Sequence, residues 1–196
     1  MFFSLVSGSS GNASVIQHNN TTILIDCGIS GKKTAELLKN AGIACEDIDA
    51  LLITHEHIDH TAGAGVISRR FNIPIYATEK TIENMNVGVI RNENKKIITA
   101  GSDFTIGDID IHSFRISHDA QDPVGYTLTA GNVKYSIATD TGIMTDEIFS
   151  SISDSDYIML EANHDVDMLM HGDYPYELKR RILGDKGHLS NNTAAD

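Results

Sequence analysis

Apolar and polar positions alternate at the start of the chain in the pattern of short β-strands. Three apolar segments, FFSLV, NASVIQ and TTILID, are separated by glycine- and asparagine-rich stretches. Because these two residue types are typical of tight turns, the pattern predicts three antiparallel strands joined as a meander. The next segment, GKKTAELLKNAGI, repeats its apolar residues at helical spacing and predicts a surface helix that ends at Gly42.

The rest of the chain repeats this order of strands and then helices. DALLITHEH predicts a buried strand, and it is followed by the helix TAGAGVISRRFN, the strand PIYAT and the helix EKTIENMNV. The second half is again rich in strands, in the segments DFTIGDIDIHSFRIS, GYTLTAGNVKYSIATD and DYIMLEAN. This order predicts an α+β fold in which two sheets pack face to face with helices outside. No linker or repeat interrupts it, so we expect a single domain over residues 1–196.

The composition is that of an ordinary globular chain, with 41% hydrophobic and 21% charged residues. No apolar run approaches the roughly 20 residues of a membrane helix, so we expect no membrane association. The two cysteines, Cys27 and Cys45, are too few for a disulfide framework and favour a cytoplasmic location. The formal net charge of −12 argues against a surface that covers nucleic acid broadly, but a polyanion at a local site stays compatible with it.

Residues 54–60 read THEHIDH and concentrate metal-ligand side chains where the buried strand DALLI ends. In an extended segment, residues two apart point the same way, so His55 and His57 can share one metal ion if the chain stays extended or loops out through them. Asp59 and His60 then lie at the start of the next helix and face a second position. The segment can thus give two ligands to each of two metals, whereas Glu56 points away. The alternative is a histidine-rich surface loop.

The second half offers further ligands in the same context. His118 follows the strand SFRIS, and Asp140 follows the strand YSIAT. Catalytic groups are commonly built at strand ends on a packed scaffold, so we expect both residues to join the histidine segment. A carboxylate has two oxygens, and Asp140 could bridge two metal ions.

These motifs resemble the hydrolases of the metallo-β-lactamase fold, in which HEHIDH matches HxHxDH. The resemblance implies an αββα sandwich of two mixed β-sheets, face to face, with a dimetal site at one edge. It places His55, His57 and His118 on the first metal, Asp59 and His60 on the second, and Asp140 between them. SGSSGN, LIDCGISGKK, SHDAQDPVGYT, LEANHD and GHLSN are similar to the WalJ-like (YycJ-like) branch, which is close to PhnP phosphodiesterases and tRNase Z.

The resemblance also bears on the C-terminal region. The family carries a last histidine ligand of the second metal on a strand near the C-terminus, whereas this chain ends at Asp196, in a predicted helical turn capped by Ser190. We therefore expect the domain to lack its C-terminal strand and helix. His188 is either that last ligand or, as its LSNNTAA context favours, the histidine that tRNase Z-like enzymes place beside the scissile phosphate.

The implied activity is a dimetal phosphodiesterase, and the WalJ-like branch implies a DNA 5′-to-3′ exonuclease. A metal-bridging hydroxide is the expected nucleophile, oriented by Asp59, and His188 is expected to protonate the leaving oxygen. Zinc is the favoured metal, with manganese and iron as alternatives. The alternatives to a phosphodiesterase are hydrolysis of a thioester or lactone and a metal-binding module without turnover.

Further residues are candidates for substrate contacts. Ser9, Ser10 and Asn12 of SGSSGN could donate hydrogen bonds to phosphate, although a plain turn fits the sequence equally well. His164 of LEANHD is expected near the site, either on substrate or metal or in a structural hydrogen bond. Short basic groups occur at 69–70, 95–96 and 179–181. They are typical of solvated surfaces, but for a DNA substrate one of them should flank the cleft.

Overall fold

The computed structural model describes residues 1–196 as two sheets with helices on their outer faces. The strands are β1 (Phe2–Val6), β2 (Ala13–His18), β3 (Thr21–Ile25), β4 (Ala50–Leu52), β5 (Ile75–Thr78), β6 (Lys95–Ile98), β7 (Asp103–Ile106), β8 (Ile109–Arg115), β9 (Val124–Ala130), β10 (Val133–Ala138) and β11 (Tyr157–Leu160). The helices are α1 (Gly31–Asn40), α2 (Ile58–Thr61), α3 (Ala64–Phe71), α4 (Glu79–Asn84), α5 (Asp146–Ile152), α6 (Val166–His171), α7 (Tyr176–Leu183) and α8 (Asn191–Ala195).

Both sheets are mixed. The first has the order β1-β2-β3-β4-β5-β6, and its first three strands form the predicted antiparallel meander. From β3 to β6 the strands are parallel, because a helix or helices connect β3 to β4, β4 to β5 and β5 to β6. The second sheet has the order β11-β10-β9-β8-β7 and is antiparallel except for the β10–β11 pair. The predicted α+β sandwich of two mixed sheets is confirmed.

The core lies in three layers that follow the alternation of side chains along the strands. Ile23 and Ile25 of β3 face the second sheet and pack with residues such as Tyr126 and Leu128. Leu24, between them in sequence, points to the other face, where it joins Leu38 of α1 and Ile67 of α3. Burying such a side chain stabilises the fold by about 1.5–3 kcal/mol. A third cluster fixes α5 on the outer face of the second sheet through Phe114, Ile148 and Ile152.

Several elements differ from the sequence pattern. The alternating segment DFTIGDIDIHSFRIS is not continuous but folds back at Gly107, whose φ of 57° lies in the left-handed region. The strand of DALLITHEH ends at Leu52, so the histidines lie in the loop beyond it. Strand β6 and helices α5, α6 and α7 were not predicted. The predicted cap of the last helix is confirmed, since the Ser190 hydroxyl accepts a hydrogen bond from the Thr193 N–H.

The region from the last strand onward buries few of its side chains. Helix α7 has no buried residue, and Tyr157 of β11, Met168 of α6 and Tyr176 of α7 are more than half exposed. No helix in the chain is both long enough and apolar enough to span a bilayer.

Candidate metal centre

The candidate ligands meet at one edge of the sandwich, where five strands of the two sheets end. The groups that follow β3, β4, β8, β10 and β11 in sequence approach one another there: Asp26, the segment 54–60, His118, Asp140 and Glu161. The sequence therefore places each of these groups just after a different strand, and the sheet topology brings them together.

Three imidazoles form the first group. His55 Nε2 lies 3.1 Å from His57 Nδ1, and His118 Nε2 lies 3.2 Å from the same atom. His118 Nδ1 faces the carbonyl oxygen of Gly187 at 3.3 Å, so Nδ1 must carry the proton and Nε2 keeps its lone pair. Burial lowers the pKa of both His55 and His118, which keeps these rings neutral at pH 7.

Asp26 and Thr54 fix the orientation of His55. The Thr54 hydroxyl donates to the Asp26 carboxylate at 2.9 Å, so its oxygen can accept from the Nδ1–H of His55 at 3.0 Å. The Nε2 lone pair of His55 therefore points at the other two rings. The Nε2 lone pairs of His55 and His118 converge on His57 Nδ1, an arrangement that fits a bound cation, and three imidazoles are a common ligand set for zinc.

Residues 53–57 form the loop between β4 and α2 that carries the rings of His55 and His57. The Thr54 N–H donates to Asp26 Oδ1 at 2.9 Å, and the Thr54 carbonyl accepts from the N–H of Val124 at 3.0 Å. The Tyr126 hydroxyl donates to the carbonyl of Ile53 at 2.8 Å. The chain thus loops out through His57, the second of the two routes that the spacing allowed.

His60 is the centre of the second group. Its Nδ1 lies 2.8 Å from Asp26 Oδ2 and its Nε2 lies 2.9 Å from Asp140 Oδ2, with the side chain fully buried. Burial alone would lower the pKa of His60, but the two carboxylates outweigh it and hold the pKa well above its ordinary value. Conversely, burial would raise the pKa of Asp140, and the hydrogen bond from His60 keeps it low.

Asp140 also belongs to a third group. Its Oδ1 lies 3.3 Å from His188 Nδ1, which in turn lies 3.0 Å from Glu161 Oε2. The other oxygen of Glu161 accepts from the N–H groups of Thr141 and Leu189, so one carboxylate holds the loops of both Asp140 and His188. The hydrogen bond that His188 donates to Glu161 raises the pKa of His188 despite its burial.

Three triads of ligand atoms, each within 4.8 Å, therefore lie side by side: His55, His57 and His118; His55, His60 and Asp140; Asp140, Glu161 and His188. The triads combine nitrogen and carboxylate donors, and the Asp140 carboxylate belongs to two of them. Adjacent donor sets that share a carboxylate fit two divalent cations. Asp59 is placed at the rim, with Oδ2 3.6 Å from His60 Nε2 and its side chain 31% exposed.

The candidate substrate-binding residues differ in their exposure and in their contacts with the site. Asn12 is half-buried, and its side-chain nitrogen lies 3.1 Å from His60 Nε2. Ser9 and Ser10 are exposed in the turn between β1 and β2. The backbone of His164 bridges to Ser190, and both ring nitrogens of His164 are buried without a hydrogen-bond partner.

Asp26 and Glu161 had no role in the sequence-based site, although a signal for Asp26 is present. The chain contains D-C-G and D-T-G after apolar strands, and Asp26 and Asp140 share a left-handed φ of 57°. A Cβ on Gly28 would lie 1.5 Å from the carbonyl oxygen of Asp59, and one on Gly142 would lie 2.4 Å from that of Asp185. Each Asp-x-Gly thus turns a carboxylate inward while its glycine admits a neighbouring backbone.

Comparison with known proteins agrees with this geometry. The β-lactamase superfamily domain matches residues 21–196. Exodeoxyribonuclease YycJ of Bacillus anthracis is 42% identical over 99% of this chain and 74% of its own length, and exodeoxyribonuclease WalJ of Streptococcus pneumoniae serotype 2 is 42% identical over 98% and 73%. The expectation of a further C-terminal strand and helix stays a prediction.

Among solved structures, the metallo-β-lactamase fold protein YhfI of Bacillus subtilis superposes with a TM-score of 0.72. It is 19% identical to this chain, and the match covers 94% of this chain and 72% of YhfI. The expected resemblance is therefore confirmed, and the chain belongs to the β-lactamase superfamily, with the metallo-β-lactamase fold.

Proposed function

We propose that this protein is a metal-dependent phosphodiesterase that degrades DNA from the 5′ end. The observation that carries the proposal is the position of Asp140, whose two oxygens face His60 on one side and His188 on the other, beside the three-histidine group. The names of the 42% identical YycJ and WalJ relatives support DNA as the substrate. The 5′-to-3′ direction is our inference from the resemblance to that branch.

Two divalent cations would be held by His55, His57 and His118 on one side and by Asp59 and His60 on the other, with Asp140 shared. When bound, such a pair supplies Lewis acidity and a hydroxide nucleophile at neutral pH. Imidazole-rich sites suit zinc, which is our first choice, and the carboxylates also suit manganese or iron.

The protein groups around the pair have separate tasks. The partly exposed carboxylate of Asp59 at the rim accepts a hydrogen bond from the attacking water and orients it. Glu161 engages Nδ1 of His188 and leaves Nε2 as the ring atom that donates a proton to the leaving oxygen. This contact leaves Nε2 free for the proton-donor role that we assign to His188.

Substrate binding is assigned to groups on both sides of the site. Asn12 lies against His60 and can donate to a phosphate oxygen, and Ser9 and Ser10 lie on the same turn. The unpaired ring nitrogens of His164 are buried beside the last loop, where a bound substrate would give them partners.

The test is digestion of DNA labelled at its 5′ or 3′ end, with zinc, manganese or iron supplied, beside thioester and lactone substrates. We expect the 5′-labelled nucleotide to be released first and no acyl hydrolysis. His55→Ala is the matched inactive variant. Acyl hydrolysis without DNA cleavage would make the protein an esterase-type hydrolase, and no turnover with any of the metals would make it a binding module; either result overturns the proposal.

A further inference from the structure

The basic residues of α7 differ in what they contact. Lys179 Nζ donates to the carbonyl oxygens of Met170 and Gly172 within its own region, and Arg180 lies 3.9 Å from Glu177 on the same helix. Arg181 instead reaches across to the other side of the cleft, where its Nε donates to Asp119 Oδ2. Of these three cations, Arg181 faces the candidate metal centre.

Asp119 links Arg181 to the three-histidine group. Its Oδ1 lies 3.4 Å from His118 Nε2 and 4.0 Å from His57 Nε2, while Oδ2 accepts from Arg181. The Asp119 carboxylate therefore lies between the Arg181 guanidinium and the three-histidine group. The Nε of Arg181 is engaged, whereas neither terminal nitrogen has a protein partner and the side chain is 58% exposed.

The segment after α7 is anchored to the same rim, which fixes where Arg181 stands. The Ser117 hydroxyl donates to the carbonyl of Asp185 at 2.7 Å, and the His188 N–H donates to the carbonyl of Ile182 at 2.9 Å. Gly142, two residues after Asp140, lies so close to Asp185 that a Cβ would meet its carbonyl oxygen at 2.4 Å. The last turn of α7 is thus part of the wall of the site.

The chain has a formal net charge of −12, and an acidic surface repels a nucleic-acid strand. The Arg181 guanidinium beside the candidate metal centre has the opposite charge and would attract such a strand. A guanidinium presents paired N–H groups that match two phosphate oxygens, and a carboxylate on Nε holds that fork in one orientation. We propose that Arg181 binds a DNA phosphate adjacent to the scissile one, and that Asp119 positions the guanidinium for it. This inference rests on the proposed nuclease function.

The experiment compares Arg181→Gln with Arg180→Gln, its neighbour on the same helix. Binding of a cleavage-resistant phosphorothioate oligonucleotide is followed by fluorescence anisotropy at several salt concentrations, and turnover is measured on DNA and on bis(p-nitrophenyl) phosphate, which has no second phosphate. For Arg181→Gln we expect Kd and KM for DNA to rise roughly tenfold. The slope of log affinity against log salt should shrink by about 0.7. Hydrolysis of the small diester and all properties of Arg180→Gln should stay unchanged.

Arg181→Lys retains the charge, so it should restore the salt slope while leaving affinity below that of the wild type. The inference alone is wrong if the wild type degrades DNA and Arg181→Gln matches Arg180→Gln, or if the lysine variant keeps the reduced slope of the glutamine variant. If the wild type cleaves the small diester but no DNA, the proposed function is wrong and this inference falls with it.

Discussion

His60 points one ring nitrogen at Asp26, with 2.8 Å between Nδ1 and Oδ2, and both side chains are buried. The carboxylate can only accept, so Nδ1 carries a proton and Nε2 is the atom available to a cation beside Asp140. The same carboxylate accepts from Thr54, whose hydroxyl faces Nδ1 of His55. One aspartate thus sets the orientation of an imidazole in each of two adjacent ligand groups.

Asp26→Asn should weaken metal binding while the fold persists. Asparagine tolerates the left-handed backbone of residue 26, but its amide would offer a donor to His60 Nδ1 and move the ring proton to Nε2. We expect the affinity for the second metal to fall roughly 10–100-fold. Competition with a chromogenic chelator measures this change.

Asp49→Asn is the matched control for that variant. Asp49 Oδ2 likewise accepts a backbone N–H, that of Thr22 at 2.8 Å, but it contacts none of the candidate ligands. Equal metal affinities for the two variants would contradict the orienting role of Asp26.

How far the sequence predicts this site depends on the kind of residue. His55, His57, His118 and Asp140 were recognisable because they are ligand types at strand ends. Asp26 also follows a strand, but its role was missed because that role arises from contacts with Thr54 and His60, which are 28 and 34 positions away and are brought close by the pairing of β3 with β4.

The same limit applies to the fold. Strands with buried faces were predicted well, since burial imposes a period of two. Strand β6 has one buried residue in four and α7 has none, so neither carries an apolar pattern that identifies it. Polar contacts such as that between Arg181 and Asp119 hold α7, and such contacts leave no periodic signal.

His118→Ala should remove one metal ion and nearly all activity, because His118 supplies one of three converging nitrogens. His112→Ala is the control: His112 lies on β8, the strand that leads to His118, but its Nδ1 pairs with Asp103 on β7. Elemental analysis of the purified proteins should give one metal equivalent less for the first variant and no change for the second. Unchanged stoichiometry in His118→Ala would remove it from the ligand set.

His188→Ala separates the two roles of that histidine. As a proton donor, His188 should contribute roughly 10²–10⁴ to the turnover of DNA, and much less for p-nitrophenyl esters, whose leaving group needs no proton. Metal content should be unchanged. Glu161→Gln should reproduce part of the DNA defect, because it loosens the ring that Glu161 holds at 3.0 Å. Loss of a metal equivalent in His188→Ala would instead make it a ligand.

Gly28→Ala should unfold the site locally. The added Cβ would lie 1.5 Å from the Asp59 carbonyl oxygen, a backbone atom that also accepts from the Asn12 N–H. We expect a loss of about 3 kcal/mol or more in the free energy of unfolding, at the upper end for an overpacked position. Gly42→Ala has open space around its Cβ and should lose only about 1–2 kcal/mol from its left-handed φ of 80°. Urea unfolding compares them, and equal losses would contradict the close approach.

We expect the buried thiol of Cys27 to lower the free energy of unfolding as the pH rises into the alkaline range. Burial raises the pKa of its thiol from 9.0 to about 12, and its sulfur lies 3.2 Å from the Thr34 hydroxyl. Between these two values the unfolded chain releases the thiol proton and the folded chain keeps it, so deprotonation favours unfolding as the pH rises. The stabilisation from Cys27 is complete below pH 9 and declines by up to about 1.4 kcal/mol per pH unit above it.

Urea unfolding of the wild type and Cys27→Ala at pH 8, 9, 10 and 11 isolates this contribution, because all other titrating groups are common to both proteins. Cys27→Ala should be less stable at pH 8, owing to the cavity, and should lose less stability than the wild type between pH 9 and 11. In the native protein at pH 8 the thiol should also resist Ellman's reagent, since the reactive thiolate is nearly absent. Parallel pH profiles for the two proteins, or rapid modification of native Cys27, would contradict its protonated, buried state.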